Sequence, residues 1–142
     1  MRITAGKFKA RSLAAPEDAS VRPTSDKVRQ AIFNILEHRD FGFAFGLEGA
    51  RVVDLFAGTG AMGLESLSRG ARYCLFVDDS PASRALIREN VEAFGLTGAT
   101  KIDDAHYDVL QHLEGNFPGG VIDLHYRFTL RGASIAELVI EP

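Results

Sequence analysis

The chain has 142 residues, of which 46% are hydrophobic, 25% charged and 9% aromatic, with 14 glycines, 5 prolines and one cysteine. That length and mixture describe one ordinary globular domain and exclude two full domains, a disordered or collagen-like chain and a disulfide scaffold, since a lone cysteine has no intrachain partner. The net charge of -3 speaks against a protein that simply coats nucleic acid, and no apolar run reaches the roughly 18 residues of a membrane span, so a cytoplasmic chain with no membrane partner is expected.

The charge is unevenly spread. Residues 1–29 carry Arg2, Lys7, Lys9, Arg11, Arg22, Lys27 and Arg29 against Glu17, Asp18 and Asp26, a balance of +4, which leaves -7 for the other 113 residues. Phosphate contacts need clustered Lys and Arg, so a polyanion-facing surface, if there is one, belongs at the N-terminus; a solvated hairpin without a partner is the alternative.

Met1 to Leu13 alternates apolar and basic residues around Gly6 and reads as a small hairpin with one basic face. A polar connection with Pro16 and Pro23 follows. Thr24, Ser25 and Asp26 offer capping oxygens before Val28, Ala31, Ile32, Ile35 and Leu36, whose spacing predicts an amphipathic helix from about Asp26 to His38. The Gly- and Phe-rich stretch to Gly49 closes a first module, residues 1–49. Phe41, Phe43 and Phe45 in it are read as packing residues ahead of base-stacking ones.

From Arg51 the texture changes to alternating strands and helices, the mark of an α/β doubly wound sheet over residues 50–142. Arg51 to Phe56 reads as a buried parallel strand, Ala61 to Ser68 as a helix, and Tyr73 to Val77 as a second strand. Ser80-Pro81 caps a helix that runs to about Phe94, where Gly95 stops it. A weaker strand near Thr100 to Ile102, a helix near Tyr107 to Leu113, a strand from Val121 to Leu124, and strands Tyr126 to Leu130 and Ile135 to Ile140 around Gly132 complete the expected order.

Gly58-Thr59-Gly60-Ala61-Met62-Gly63 fits G-x-G-x-x-G directly after a strand and at the opening of a helix, the context in which glycines let a ligand approach a helix N-terminus. The motif alone fits a dinucleotide or S-adenosylmethionine. Asp54, four positions before Gly58, discriminates: its carboxylate repels a pyrophosphate but welcomes the ammonium and sulfonium of S-adenosylmethionine. Its bland alternative is a helix-capping aspartate. Asp78 ends the second strand, where a carboxylate can accept from ribose hydroxyls, and is favoured over Asp79 beside it. Asp103, Asp104 and Ala105 could meet an adenine amino group or form a solvated loop. His38, His106, His112 and His125 are scattered, so no metal site is expected, and Cys74 in an apolar strand reads as an inert thiol.

Two segments together are distinctive. Arg22-Pro23-Thr24-Ser25-Asp26-Lys27-Val28-Arg29-Gln30-Ala31-Ile32-Phe33-Asn34-Ile35-Leu36 and Val53-Asp54-Leu55-Phe56-Ala57-Gly58-Thr59-Gly60-Ala61-Met62-Gly63-Leu64-Glu65-Ser66-Leu67-Ser68-Arg69-Gly70-Ala71 resemble the 16S ribosomal RNA guanine-N2 methyltransferase family. Arg2-Ile3-Thr4-Ala5-Gly6-Lys7-Phe8-Lys9 is similar to that family's opening hairpin, and the likeness runs to about Leu124. The resemblance implies a class I, Rossmann-like methyltransferase fold with S-adenosylmethionine as donor. It implies a guanine amine of 16S ribosomal RNA as acceptor, in the small subunit or an assembly intermediate; a monomer is expected. By the same resemblance Asp54, Phe56, Ala57, Gly58 and Gly60 form the cofactor loop, Asp78 binds ribose, and Asp104 with Ala105 contacts adenine. Arg22, Thr24, Ser25 and Arg29, with the basic Arg2, Lys7, Lys9 and Arg11, face RNA.

One departure stands out. The family's Asp/Asn-Pro-Pro-aromatic catalytic motif is due after Val121-Ile122-Asp123-Leu124, but here Leu124 runs into His125-Tyr126-Arg127-Phe128 and no two prolines are adjacent. No catalytic residue is therefore assigned. A catalytic segment absent from these 142 residues is the leading expectation; a natural deletion leaving a noncatalytic relative is its rival, and an NAD-dependent oxidoreductase rests on the glycines alone.

Overall fold

The structure, a computed structural model, describes residues 1–16, 24–101, 105–114 and 118–142, with backbone alone at 99–101 and 111–114. Its elements in chain order are α1 (Asp26–His38), β1 (Arg51–Leu55), α2 (Ala61–Ser68), β2 (Tyr73–Val77), α3 (Pro81–Ala93), β3 (Gly98–Lys101), β4 (His106–Glu114), β5 (Val121–Arg131) and β6 (Ser134–Glu141). They gather into two units, Met1–Asn90 and Val91–Pro142.

In the first unit the N-terminal arm folds back about Gly6, with an antiparallel bridge between Arg2 and Ser12 and buried Ile3, Phe8 and Leu13. Ser25 caps α1, its side chain accepting from the Val28 amide at 3.3 Å. The stripe that α1 buries is Arg29 and Phe33, while Val28, Ile32 and Ile35 stay exposed. Strands β1 and β2 pair in parallel, Arg51 opposite Tyr73 through Leu55 opposite Val77, and α2 is the crossover between them. Alternation decides the faces: Val52, Asp54, Cys74 and Phe76 are half-buried, whereas Val53, Leu55, Tyr73, Leu75 and Val77 are exposed. Gly63 allows the close helix-to-sheet contact, because a Cβ there would sit 2.3 Å from the Phe76 ring and 2.5 Å from Cys74 Sγ.

The second unit is an antiparallel sheet in the order β3-β4-β5-β6. The expected helix near Tyr107 to Leu113 is instead the strand β4. Val109, Leu110 and Leu113 suggest a helical stripe locally, but pairing with β5 from His106 opposite Thr129 to Glu114 opposite Val121 satisfies the backbone along the whole segment. The two strands read at 121–124 and 126–130 merge into β5, and the turn at Gly132 (φ +64°) leads into β6 as expected. The chain is thus mixed α/β with a Rossmann-like β-α-β-α segment, and among the described residues parallel pairing is confined to β1 and β2. No helix of the described residues is long and apolar enough to cross a membrane.

Candidate cofactor site

The chain leaves β1 through Phe56, a non-glycine residue at φ +60° whose side chain is 91% exposed, then turns through Gly58 (φ +56°) and Gly60 (φ +78°). The left-handed backbone at Gly60 opens α2, and close neighbours make the glycine necessary: its Cβ would lie 3.2 Å from the Phe76 ring and 3.3 Å from Ile87 Cγ1. Ala57 closes the turn from beneath, its amide donating to the Val77 carbonyl at 3.0 Å.

Two carboxylates bracket this turn. Asp54 Oδ2 accepts the Gly63 amide at 2.8 Å, and Asp78 accepts the Gly58 amide through Oδ2 at 2.8 Å and the Ser80 amide through Oδ1 at 2.9 Å. Burial pushes the Asp54 carboxyl above its ordinary value; the Gly63 bond opposes this and the nearby Asp78 charge reinforces it. Asp78 lies below its ordinary value, chiefly because the Gly58 amide favours the charged form. The Gly58 and Gly63 amides, two of the donors that could otherwise serve a phosphate near this helix start, are therefore committed to protein carboxylates. The loop is acid-lined, which suits an ammonium or sulfonium and opposes a pyrophosphate. Cys74 behind it is pushed up to about 12 by burial and by Asp54, which makes it an inert thiol.

A residue missed in the sequence reading braces the loop. Asn90, fully buried near the end of α3, donates to the Thr59 carbonyl at 3.0 Å and exchanges hydrogen bonds with the backbone of Ala14 at 2.7 and 3.2 Å. A second is Glu65, whose carboxylate in the middle of α2 meets the N-terminal arm and α1. Its only signal was an acid amid Leu64, Ser66 and Leu67 on an otherwise uncharged helix.

Of the expected cofactor residues, Asp54, Phe56, Ala57, Gly58, Gly60 and Asp78 come together around one turn. Asp104 lies outside the described residues. Ala105 lies in the second unit, where its carbonyl accepts from the Leu130 amide at 2.6 Å. Of the expected RNA-facing residues, Arg2, Lys7, Lys9, Arg11 and Thr24 are exposed, with Lys7 and Arg11 over the Phe8 ring at 5.3 and 5.6 Å. Arg22 lies outside the described residues, and Ser25 is spent as the α1 cap. Arg29 is a correction. It has no exposed surface, and its guanidinium donates to Glu65 at 3.1 Å, the Thr24 carbonyl at 3.2 Å, Asp26 at 2.9 Å and the Arg2 carbonyl. Its place on one stripe with Phe33 was the available sign that it points inward.

Among the described residues no group of three or more His, Cys, Asp or Glu side chains could hold a metal ion. At the expected position of the catalytic motif, Leu124 and His125 are neighbours inside the uninterrupted strand β5.

Comparison with known proteins adds four likenesses. The model of the family described as conserved hypothetical protein 95 matches residues 1–124. The "Putative rRNA methyltransferase YlbH" of Bacillus subtilis (strain 168) is 42% identical over 97 residues, 68% of this chain and 49% of that protein. The "Ribosomal RNA small subunit methyltransferase D" of Escherichia coli (strain K12) is 38% identical over 89 residues, 62% of this chain and 41% of that protein. Among solved structures, the "Putative methyltransferase yhhF from Escherichia coli" superposes with a TM-score of 0.55 at 31% identity, covering 66% of this chain and 46% of that one. The chain therefore spans about half the length of these relatives.

Proposed function

This chain belongs to the conserved hypothetical protein 95 family, and from that premise we propose that it is the cofactor-binding part of an S-adenosylmethionine-dependent methyltransferase acting on ribosomal RNA. The finer reading is the exocyclic N2 of a guanine in 16S ribosomal RNA. One observation carries the cofactor: the Gly58 and Gly63 amides are taken by Asp78 and Asp54, leaving an acid-lined turn that fits a cationic ligand better than a dinucleotide. S-adenosylmethionine supplies an electrophilic methyl group on its sulfonium. Asp54 and Asp78 would hold its cationic and ribose ends, Phe56 offers an exposed ring beside the turn, and Gly58 and Gly60 let the ligand approach the backbone. Lys7, Lys9, Arg2 and Arg11 would meet the RNA phosphates, in keeping with the excess positive charge of the N-terminal arm.

Calorimetry with S-adenosylmethionine and with NAD tests the cofactor, with S-adenosylmethionine bound preferentially; preference for NAD overturns the reading. Transfer of labelled methyl groups to 16S RNA, naked and in small subunits, tests the substrate. A second reading, a noncatalytic cofactor- and RNA-binding protein, is favoured by the continuity of β5 through Leu124 and His125, and transfer to neither RNA would leave it standing.

A further inference from the structure

One buried carboxylate joins the N-terminal arm to the helix that the glycine loop opens. Glu65 has no exposed surface. Its Oε1 accepts from Thr4 Oγ1 at 2.6 Å, the Ala5 amide at 3.1 Å and Arg69 Nε at 2.9 Å, and its Oε2 accepts from the Thr4 amide at 2.9 Å and Arg29 Nε at 3.1 Å. Burial alone would raise its pKa; the bonds from Thr4, Arg69 and Arg29 outweigh this and hold the carboxyl below its ordinary value.

Stability by itself does not call for such a group, because a well-packed apolar residue often serves a buried site as well as an ion network does. What the carboxylate adds is direction, since each bond fixes where Thr4 and Ala5 lie against α2. The turn that follows is seated as closely. Lys7 and Phe8 donate their amides to the Ser68 carbonyl and hydroxyl at 2.7 and 2.9 Å, and a Cβ on Gly6 would lie 1.9 Å from that carbonyl. The exposed Lys7 and Lys9 thus flank the C-terminal end of α2, and Gly60 opens its N-terminal end. Eight helical residues at about 1.5 Å each separate the two by about 12 Å.

We infer that Glu65 is a positioning residue that holds the basic turn one helix length from the glycine loop, so that RNA gripped by Lys7 and Lys9 meets a preformed surface in register with the cofactor. The inference rests on the methyltransferase reading and adds to it. Holding the turn removes an ordering cost that RNA binding would otherwise bear, so its loss should weaken RNA and spare the cofactor.

The test uses the full chain and the variants Thr4→Val, Thr4→Ser and Glu65→Gln, with a 16S ribosomal RNA transcript and S-adenosylmethionine as titrants. Thr4→Val keeps the shape and leaves both arginines on Glu65, so it decides the matter if Glu65→Gln does not fold. Thr4→Val should bind the transcript about tenfold more weakly and exchange its Lys7 and Phe8 amides faster. Thr4→Ser should restore parental RNA affinity, and S-adenosylmethionine affinity should hold throughout. Unchanged RNA affinity in Thr4→Val, equal losses in Thr4→Val and Thr4→Ser, or parallel loss of cofactor affinity would each overturn the inference. A parent chain that binds no transcript overturns the RNA reading itself, and with it this role; parental binding with an unaltered Thr4→Val overturns the role of Glu65 alone.

Discussion

Around the glycine loop, side chains hold backbone; in the four-stranded sheet, backbone holds backbone. Asp54, Asp78, Asn90 and Glu65 each fasten a backbone amide or carbonyl of another segment, whereas β4, β5 and β6 rest on a backbone ladder that shifts register once, between Thr129 and Leu130, and β6 is exposed along its whole length. The consequence is a difference in tolerance. A ladder accepts most side chains, but a seat cut to one side chain or to none accepts few.

Glycine substitutions should expose that difference most strongly. Gly6→Ala combines a left-handed backbone (φ +78°) with a Cβ 1.9 Å from the Ser68 carbonyl, and should cost about 4 kcal/mol in denaturant unfolding. Gly63→Ala meets the Phe76 ring and Cys74 Sγ, side-chain atoms that must shift where Gly6→Ala meets backbone, and should cost about 2 kcal/mol. In the sheet, Gly132→Ala meets nothing within 4 Å and carries only the strain of φ +64°, about 1 kcal/mol. Equal losses at the three positions would break the contrast.

Asp54→Ala should weaken S-adenosylmethionine by about 2 kcal/mol in calorimetry; unchanged affinity would make Asp54 a helix cap for Gly63 and nothing more. Acid titration sharpens the comparison next. Glu65 is held below its ordinary value of 4.5, so its contribution is present above that pH and is lost as pH falls through the folded value. Asp54 is raised, so its contribution has the opposite sign: it favours the fold below the ordinary value of 3.8 and fades as pH rises through the folded value. Glu65→Gln should therefore flatten the acid limb of the stability curve, and Asp54→Asn should steepen it. The smallest effect belongs to the sheet surface, where Arg127→Ala breaks an exposed pair with Glu141 and should cost about 0.3 kcal/mol in thermal unfolding.

The elements around the site were legible locally. The cap at Ser25, Pro81 at the first turn of α3 and the parallel strands β1 and β2 match what the residues propose, but β1, read as a buried strand, is only half-buried, with Val53 and Leu55 exposed. Gly58, Gly60 and Gly63 also declared their turn, and the acids Asp54 and Asp78 declared its sign. β4 was not legible, because Tyr107 to Leu113 carries both periods and only β5 chooses between them. Asn90 was silent as well, since an amide on a helix says nothing of the Thr59 carbonyl waiting in the fold.

The fate of the charges marks the boundary. By itself the sequence determined the glycine turns around the site, which stripes are apolar, and that its positive charge gathers at the N-terminus. Which of those cations meets water was decided by the tertiary structure. Lys7 and Arg29 belong to the same basic stretch, yet Lys7 stands exposed on the turn while Arg29 is buried against Glu65, 36 residues away, and the Arg2 carbonyl, 27 residues away. Local periodicity sets the face on which a charge lies, but a charge can enter the interior only where a distant partner offsets its lost hydration, and that partner is supplied by the fold.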